Sequence, residues 1–206
     1  MTTTITKIEA KNLLKRRYEL LVALQQLENN CKHSEKVNII YENGKENISN
    51  TINDIDKELL IYSKSSPVGE WLLQIKGMLP YMAATLLSYF NIDGKECAAQ
   101  FISYAGVDTM HKPHADIGST LNLIRDSFKK HPDSLYKKVY RDKYIELLDN
   151  KLEVDTARFR ANRYMLKTFI SHLFEEMYRE SHNGELPVRY NDGDAFVIEP
   201  EVPYTK

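Results

Sequence analysis

The chain has 206 residues, 42% hydrophobic and 28% charged, with a formal net charge of −1, enough for one hydrophobic core with or without an arm and by itself no signal for a polyanion partner. Only 8 Gly and 7 Pro argue against a loop-rich β architecture, and Cys31 and Cys97 stand in no metal-ligand or disulfide spacing, which points to a reducing, cytoplasmic setting without cofactor or metal. The start of the chain lacks a signal-peptide core, and the longest apolar stretch, Met78 to Phe90, is too short and too polar to span a bilayer, so no membrane partner is expected.

Thr2 to about Asn29 reads as a long amphipathic helix capped by Thr4, with Ile8, Leu13, Leu14, Tyr18, Leu21, Val22 and Leu24 recurring at spacings of three and four. Cys31 to Gly44 breaks that pattern, with a short apolar patch at Val37 to Tyr41 and a turn at Asn43-Gly44. A second amphipathic helix runs from about Glu46 to Ser63. The expected result is an antiparallel two-helix arm over residues 1–65, able to pair two copies as a homodimer.

Ser65-Ser66-Pro67 ends the arm, and a short helix restarts at Val68, with Trp71, the only tryptophan, as a core anchor. Next comes I-K-G-M-L-P-Y-M-A-A-T-L-L, from Ile75. Gly77 supplies the positive φ of a helix stop, Pro80 opens the next helix, and Ala83 and Ala84 allow close packing. Ile75, Gly77, Met78 and Ala83 fit the helix-hairpin-helix pattern apolar-x-Gly-apolar-Gly-x-x-x-Ala, with Leu79 in place of the second glycine. Such a turn leaves backbone N–H groups at the start of the second helix facing an anion, which makes Lys76, Gly77, Met78, Leu79 and Pro80 candidate DNA-phosphate contacts. A packing hairpin inside a helical core is the competing reading.

A third short helix is expected from about Gly94 to Tyr104, closed by Gly106. His111, His114 and Asp116 then lie close in a loop, a weak metal spacing with no second pair nearby. Ile117 to His131 is helical, with Leu121, Ile124 and Phe128 inward and Arg125 outward. Pro132-Asp133-Ser134 caps a helix from Leu135 to Leu152, whose Tyr136, Tyr140 and Tyr144 read as core packing and whose Lys137, Lys138, Arg141 and Lys143 are basic. Asp155 to Glu180 carries a wide apolar face from Phe159 to Met177, with Arg160, Arg163 and Lys167 on the opposite stripe. The planar arginine fork suits phosphate, so Arg125, Arg160, Arg163 and Lys167 join the candidate DNA-binding set. His172 reads as a hydrogen-bonded structural histidine, and an extended acidic tail over 183–206 wraps the surface.

Charge is unevenly placed. From Arg125 to Lys167 there are 12 basic against 7 acidic residues, and from Glu175 to Lys206 there are 3 against 8. A basic segment followed by an acidic tail fits a nucleic-acid surface with an acidic extension.

Taken in order, the hairpin, A-A-Q-F-I-S-Y-A-G-V, the basic helices and A-R-F-R-A-N-R-Y-M-L-K-T-F-I-S-H-L resemble the C-terminal helix-hairpin-helix domain of insertion-sequence transposases that pair it with an N-terminal RuvC-like domain. The chain more closely resembles stand-alone phage- and plasmid-type proteins of that kind, over roughly Val68 to Val202. The resemblance implies an all-α fold, a helical domain at 66–182 with a central helix-hairpin-helix, and DNA recombination as a setting. Two departures bear on catalysis. No strand-rich segment is present to carry the RuvC-like acidic residues, and no serine occurs from Val107 to Gly118, where the transposases use one; Ser119 and Ser127 follow on a helix with no activating partner. The expectation is therefore a non-catalytic, sequence-tolerant DNA-binding protein of a phage or mobile element. One alternative is a phage regulator that binds a host protein through the arm or acidic tail. Another is a strand-transfer enzyme or nuclease using Ser119 or the His111, His114 and Asp116 loop.

Overall fold

The computed structural model describes residues 5–30, 35–108, 115–187 and 198–204. Among them there are eight helices and no strand, so the fold is all-α. The helix α1 (Lys7–Asn30) begins at a reciprocal cap: the Glu9 carboxylate accepts from the Thr6 N–H at 2.7 Å, and Thr6 Oγ1 accepts from the Glu9 N–H at 3.2 Å. Thr4, the expected cap, lies outside the described residues.

The next helix, α2 (Glu35–Ser63), runs unbroken through Asn43 and Gly44, which corrects the expected turn there and the expected start near Glu46. Asn and Gly each disfavour a helix interior by only about 1 kcal/mol or less. Against that, Tyr41, Ile48, Ile52, Ile55 and Leu59 keep a single stripe across the pair, and the last three of these are buried. The two helices run antiparallel, because Arg17 pairs with Asp56 at 2.6 Å while Glu28 pairs with Lys45 at 3.7 Å.

The arm is seated on the helix α4 (Pro80–Tyr89). Ile55, Leu59 and Ala84 form a small buried cluster, flanked by Leu13, Leu14 and Tyr81. The Arg17 guanidinium, held by Asp56, lies over the Tyr81 ring at 3.8 Å, and Lys7 Nζ donates to the Phe90 carbonyl at 3.3 Å.

Between arm and α4 lies α3 (Pro67–Gln74), where Ser66 Oγ accepts from the Gly69 N–H at 3.1 Å and Pro67 takes the first helical position. Trp71 is fully buried, as its place beneath the hairpin required. The helix α5 (Ala98–Tyr104) is shorter than the expected span from Gly94. It is followed by α6 (Ala115–Lys130), α7 (Leu135–Asp149) and α8 (Val154–Ser181). On α6, Ile117, Leu121, Ile124 and Phe128 repeat at spacings of three and four and are all buried. They share one buried cluster with Met165, Phe169 and Leu173 of α8. Phe128 stacks on Tyr136 at 4.6 Å, and Phe169 stands edge-on to both rings.

Two expectations about these helices are corrected. Phe159, assigned to the apolar face of α8, is 62% exposed because this end of the helix buries Ala157 and Ala161 against Leu147 of α7 and leaves Phe159 off that contact. Ser134 occupies the cap position of α7 but its side chain makes no cap bond; the Leu135 N–H is instead met by the Glu201 carboxylate at 3.2 Å.

That carboxylate belongs to the chain's final described segment, 198–204, which lies along the core. Trp71 Nε1 donates to the Val202 carbonyl at 2.9 Å, and the Tyr204 hydroxyl donates to the Glu175 carboxylate. His172 is buried, with Nε2 2.7 Å from the Ile198 carbonyl and Nδ1 3.0 Å from the Tyr136 hydroxyl. Because a carbonyl only accepts, Nε2 carries a proton, and in the neutral ring the Tyr136 hydroxyl donates to Nδ1.

Candidate nucleic-acid interface

The turn between α3 and α4 is built as the sequence pattern implies on one side and differently on the other. Gly77 has φ +92, a conformation that favours glycine, and Met78 beneath it is buried. The Gly77 carbonyl accepts from Ser127 Oγ at 2.7 Å, so the turn is packed against the C-terminal half of α6. Leu79, in place of the pattern's second glycine, caps α4 in ordinary extended conformation with φ −100 and ψ 154. Its side chain is 46% exposed at the mouth of the helix, and no side-chain oxygen caps α4.

Lys76 reaches from this turn to the α6–α7 connection, where Nζ donates to the Asp133 carbonyl at 3.3 Å. Beside it is a cavity of about 230 Å³ lined by Asp133, Ser134, Lys137, Lys138 and Arg141. The hairpin lysine thus reaches Asp133, which lines the same cavity as three cations from the first two turns of α7. Periodicity marks Lys137, Lys138 and Arg141 as a basic face but carries no signal that they adjoin the hairpin. Only the tertiary contact, 57 residues apart in sequence, brings them together. The acids beside them are Asp133, Glu201 on the Leu135 N–H, and Asp142, the last 3.4 Å from Arg141 with both side chains largely in water, where such a pair attracts weakly.

Arg125 and Arg163 meet in a different place, a groove of about 550 Å³ between α6, α8 and the residues after α5. Residues two apart on a helix point roughly 200° apart. Ser127 faces the hairpin, so Arg125 faces away from it. Arg125 grips Asp126 through Nε at 2.8 Å and Nη2 at 3.1 Å and donates from Nη1 to Asn122 Oδ1 at 2.9 Å. The Arg125 hydrogen bond, more than any other contact, holds the Asp126 carboxyl below its usual range. Arg163 donates from Nε to the Val107 carbonyl at 2.9 Å. Both guanidinium groups therefore enter the groove already bonded.

The candidate phosphate contacts consequently fall into separate groups. Lys76 to Pro80 lie at the hairpin, Arg125 and Arg163 in the groove, and Arg160 and Lys167 on α8 outside the groove lining, the first exposed and the second partly buried.

Of the catalytic candidates, Ser119 Oγ donates back to its own helix, 2.8 Å from the Ala115 carbonyl, as a helical serine commonly does. Asp116 accepts from the Tyr89 hydroxyl at 2.5 Å, and burial first, then this bond, push the tyrosine up to about 12. His111 and His114 lie outside the described residues. Among the described residues no three His, Cys, Asp or Glu side chains are grouped to hold a metal ion, and no helix is long and apolar enough to cross a membrane. No family model matches the chain, and none of the curated proteins matches it in sequence.

Proposed function

We propose that the protein is a non-catalytic, sequence-tolerant DNA-binding protein of a phage or mobile element. In this reading it is related to the transposase C-terminal domains it resembles and grips the phosphate backbone at the hairpin and the start of α7. The observation that carries the proposal is the bond from Lys76 to the Asp133 carbonyl, which ties the hairpin to the α6–α7 connection whose cavity Lys137, Lys138 and Arg141 line. Four cations against three acids, Asp133, Asp142 and Glu201, leave a local positive charge on a chain whose formal net charge is −1, and phosphate contacts of this kind release counterions. Arg160 on the exposed side of α8 offers a further contact. With three to four phosphates neutralised, the logarithm of the affinity falls with the logarithm of salt at a slope of about −3.

Fluorescence anisotropy of a labelled duplex at two salt concentrations tests this, with a Lys137→Glu, Arg141→Glu double variant beside the parent. Both side chains sit at the surface, so the variant is expected to keep its helical circular dichroism while losing at least tenfold in affinity. Salt-independent binding, no binding at low salt, or a variant that binds like the parent overturns the proposal.

A regulator that binds a host protein is the second reading, and the exposed Leu79 at the tip of the hairpin favours it. In that reading the hairpin is scaffold and the arm or acidic tail carries the contact, and a stoichiometric protein partner retained after nuclease treatment would support it.

A further inference from the structure

The groove between α6 and α8 has features that a phosphate seat does not need. Phe159, Arg163 and Leu166 share one stripe of α8 and line it; Leu166 is buried, yet the Phe159 ring is 62% exposed. The Arg163 guanidinium lies 5.6 Å from that ring and is pinned by the Val107 carbonyl. Arg125 has its charge balanced by Asp126. The groove therefore presents flat, weakly hydrated faces and little net charge. Two amides stand in it with their oxygens in use, Asn122 accepting from Arg125 and Asn162 from Lys129 at 3.3 Å. Each amide keeps an NH₂ group whose donors can meet a ligand's acceptors.

From these features we infer that the groove receives one unpaired nucleobase, stacked on Phe159 and flanked by the Arg163 plane. This deepens the DNA-binding reading and rests on it. Every base has a π-face and carries carbonyl or ring-nitrogen acceptors, so a stacking platform with amide donors accepts any of them. The volume, about 550 Å³, lies within the range of pockets that take small planar ligands. The groove and the hairpin surface lie on opposite sides of α6, a helix about 10–12 Å across. A continuous duplex seated on the cations keeps its bases stacked, so only a strand with an unpaired base reaches both places. The substrate class is thus single-stranded or locally unpaired DNA in preference to perfect duplex.

The test compares three DNAs of equal length by anisotropy: a perfect duplex, a duplex with two central unpaired thymines, and a thymine single strand. The full-length parent, Phe159→Ala and Phe159→Trp are measured against each. The parent is expected to favour the two unpaired substrates. Loss of one stacked base corresponds to roughly tenfold in affinity. Phe159→Ala should lose that factor on the unpaired substrates and leave duplex binding unchanged, while Phe159→Trp retains it. No binding to any DNA would remove the phosphate reading itself. Salt-sensitive duplex binding without preference for unpaired substrates, or an alanine variant that is unchanged or equally weakened on all three, would remove the base seat and leave the phosphate surface standing.

Discussion

Gly77 ties the hairpin to the rest of the fold through two constraints at one position. Its φ of +92 is a conformation L side chains rarely adopt, and a Cβ there would stand 2.9 Å from His131 Cδ2 and 3.0 Å from Ser127 Oγ. Gly77→Ala therefore meets backbone strain of about 1–2 kcal/mol together with a clash that opens the Ser127 hydrogen bond. The expected loss of stability is about 2–3 kcal/mol by urea unfolding. A loss under about 0.5 kcal/mol would mean that the turn relaxes freely and that Lys76 is not fixed against α7. Leu79 shows the opposite case. Its extended φ and exposed side chain require no glycine, which is why the hairpin tolerates a departure from the pattern at that position.

At the scale of elements, α2 makes the sharpest contrast with the sequence, and Gly44 tests it. As a turn residue with positive φ, Gly44 would resist substitution; inside a helix it weakens the structure for lack of a side chain. Nothing lies within 4 Å of a Cβ placed there. Gly44→Ala is thus expected to stabilise by about 0.5–1 kcal/mol and raise the melting temperature by a few degrees. A destabilised variant would restore the turn. The remaining helices were legible from periodicity, because the apolar positions of α6 and the C-terminal half of α8 fall on stripes that the core then covers. Local turn chemistry misled at Asn43-Gly44, where a stripe from Tyr41 to Leu59 outweighs two poor helix formers. Periodicity also misplaced Phe159, since a pattern says which side of a helix a residue occupies and not whether anything packs there. The candidate site was half legible for the same reason. Lys76 and Gly77 stand out in sequence, but their adjacency to Lys137 and Arg141, and the separation of Arg125 from the hairpin, depend on how α6 is rotated between them.

At the scale of the molecule, the acidic C-terminal stretch is part of the core and not a free appendage over its described residues. Segment 198–204 covers Trp71, supplies the carbonyl that fixes the His172 ring, and places Glu201 on the first N–H of α7. Tyr204 stands 6.3 Å from Trp71 and under the Arg179 guanidinium. Burial, with the nearby Tyr204, Glu201 and Glu175, pushes the Tyr136 hydroxyl well up, so that side chain stays a neutral donor to His172. A chain ending at Pro187 loses four hydrogen bonds to buried or capping groups, each worth about 1 kcal/mol, besides the packing over Trp71. Melting should fall by roughly 8–16 °C, since about 2–4 °C corresponds to 1 kcal/mol at this size. Tryptophan emission should move to the red as the only indole in the chain meets water. An unchanged melting temperature and unshifted emission would show that the core closes without the segment. Because Glu201 already sits at the start of α7, a few residues from the proposed phosphate cations, truncation also reports on function. Duplex affinity per folded molecule should hold or rise once that carboxylate is gone, and a loss of affinity in a still-folded chain would place part of the DNA contact on the tail itself.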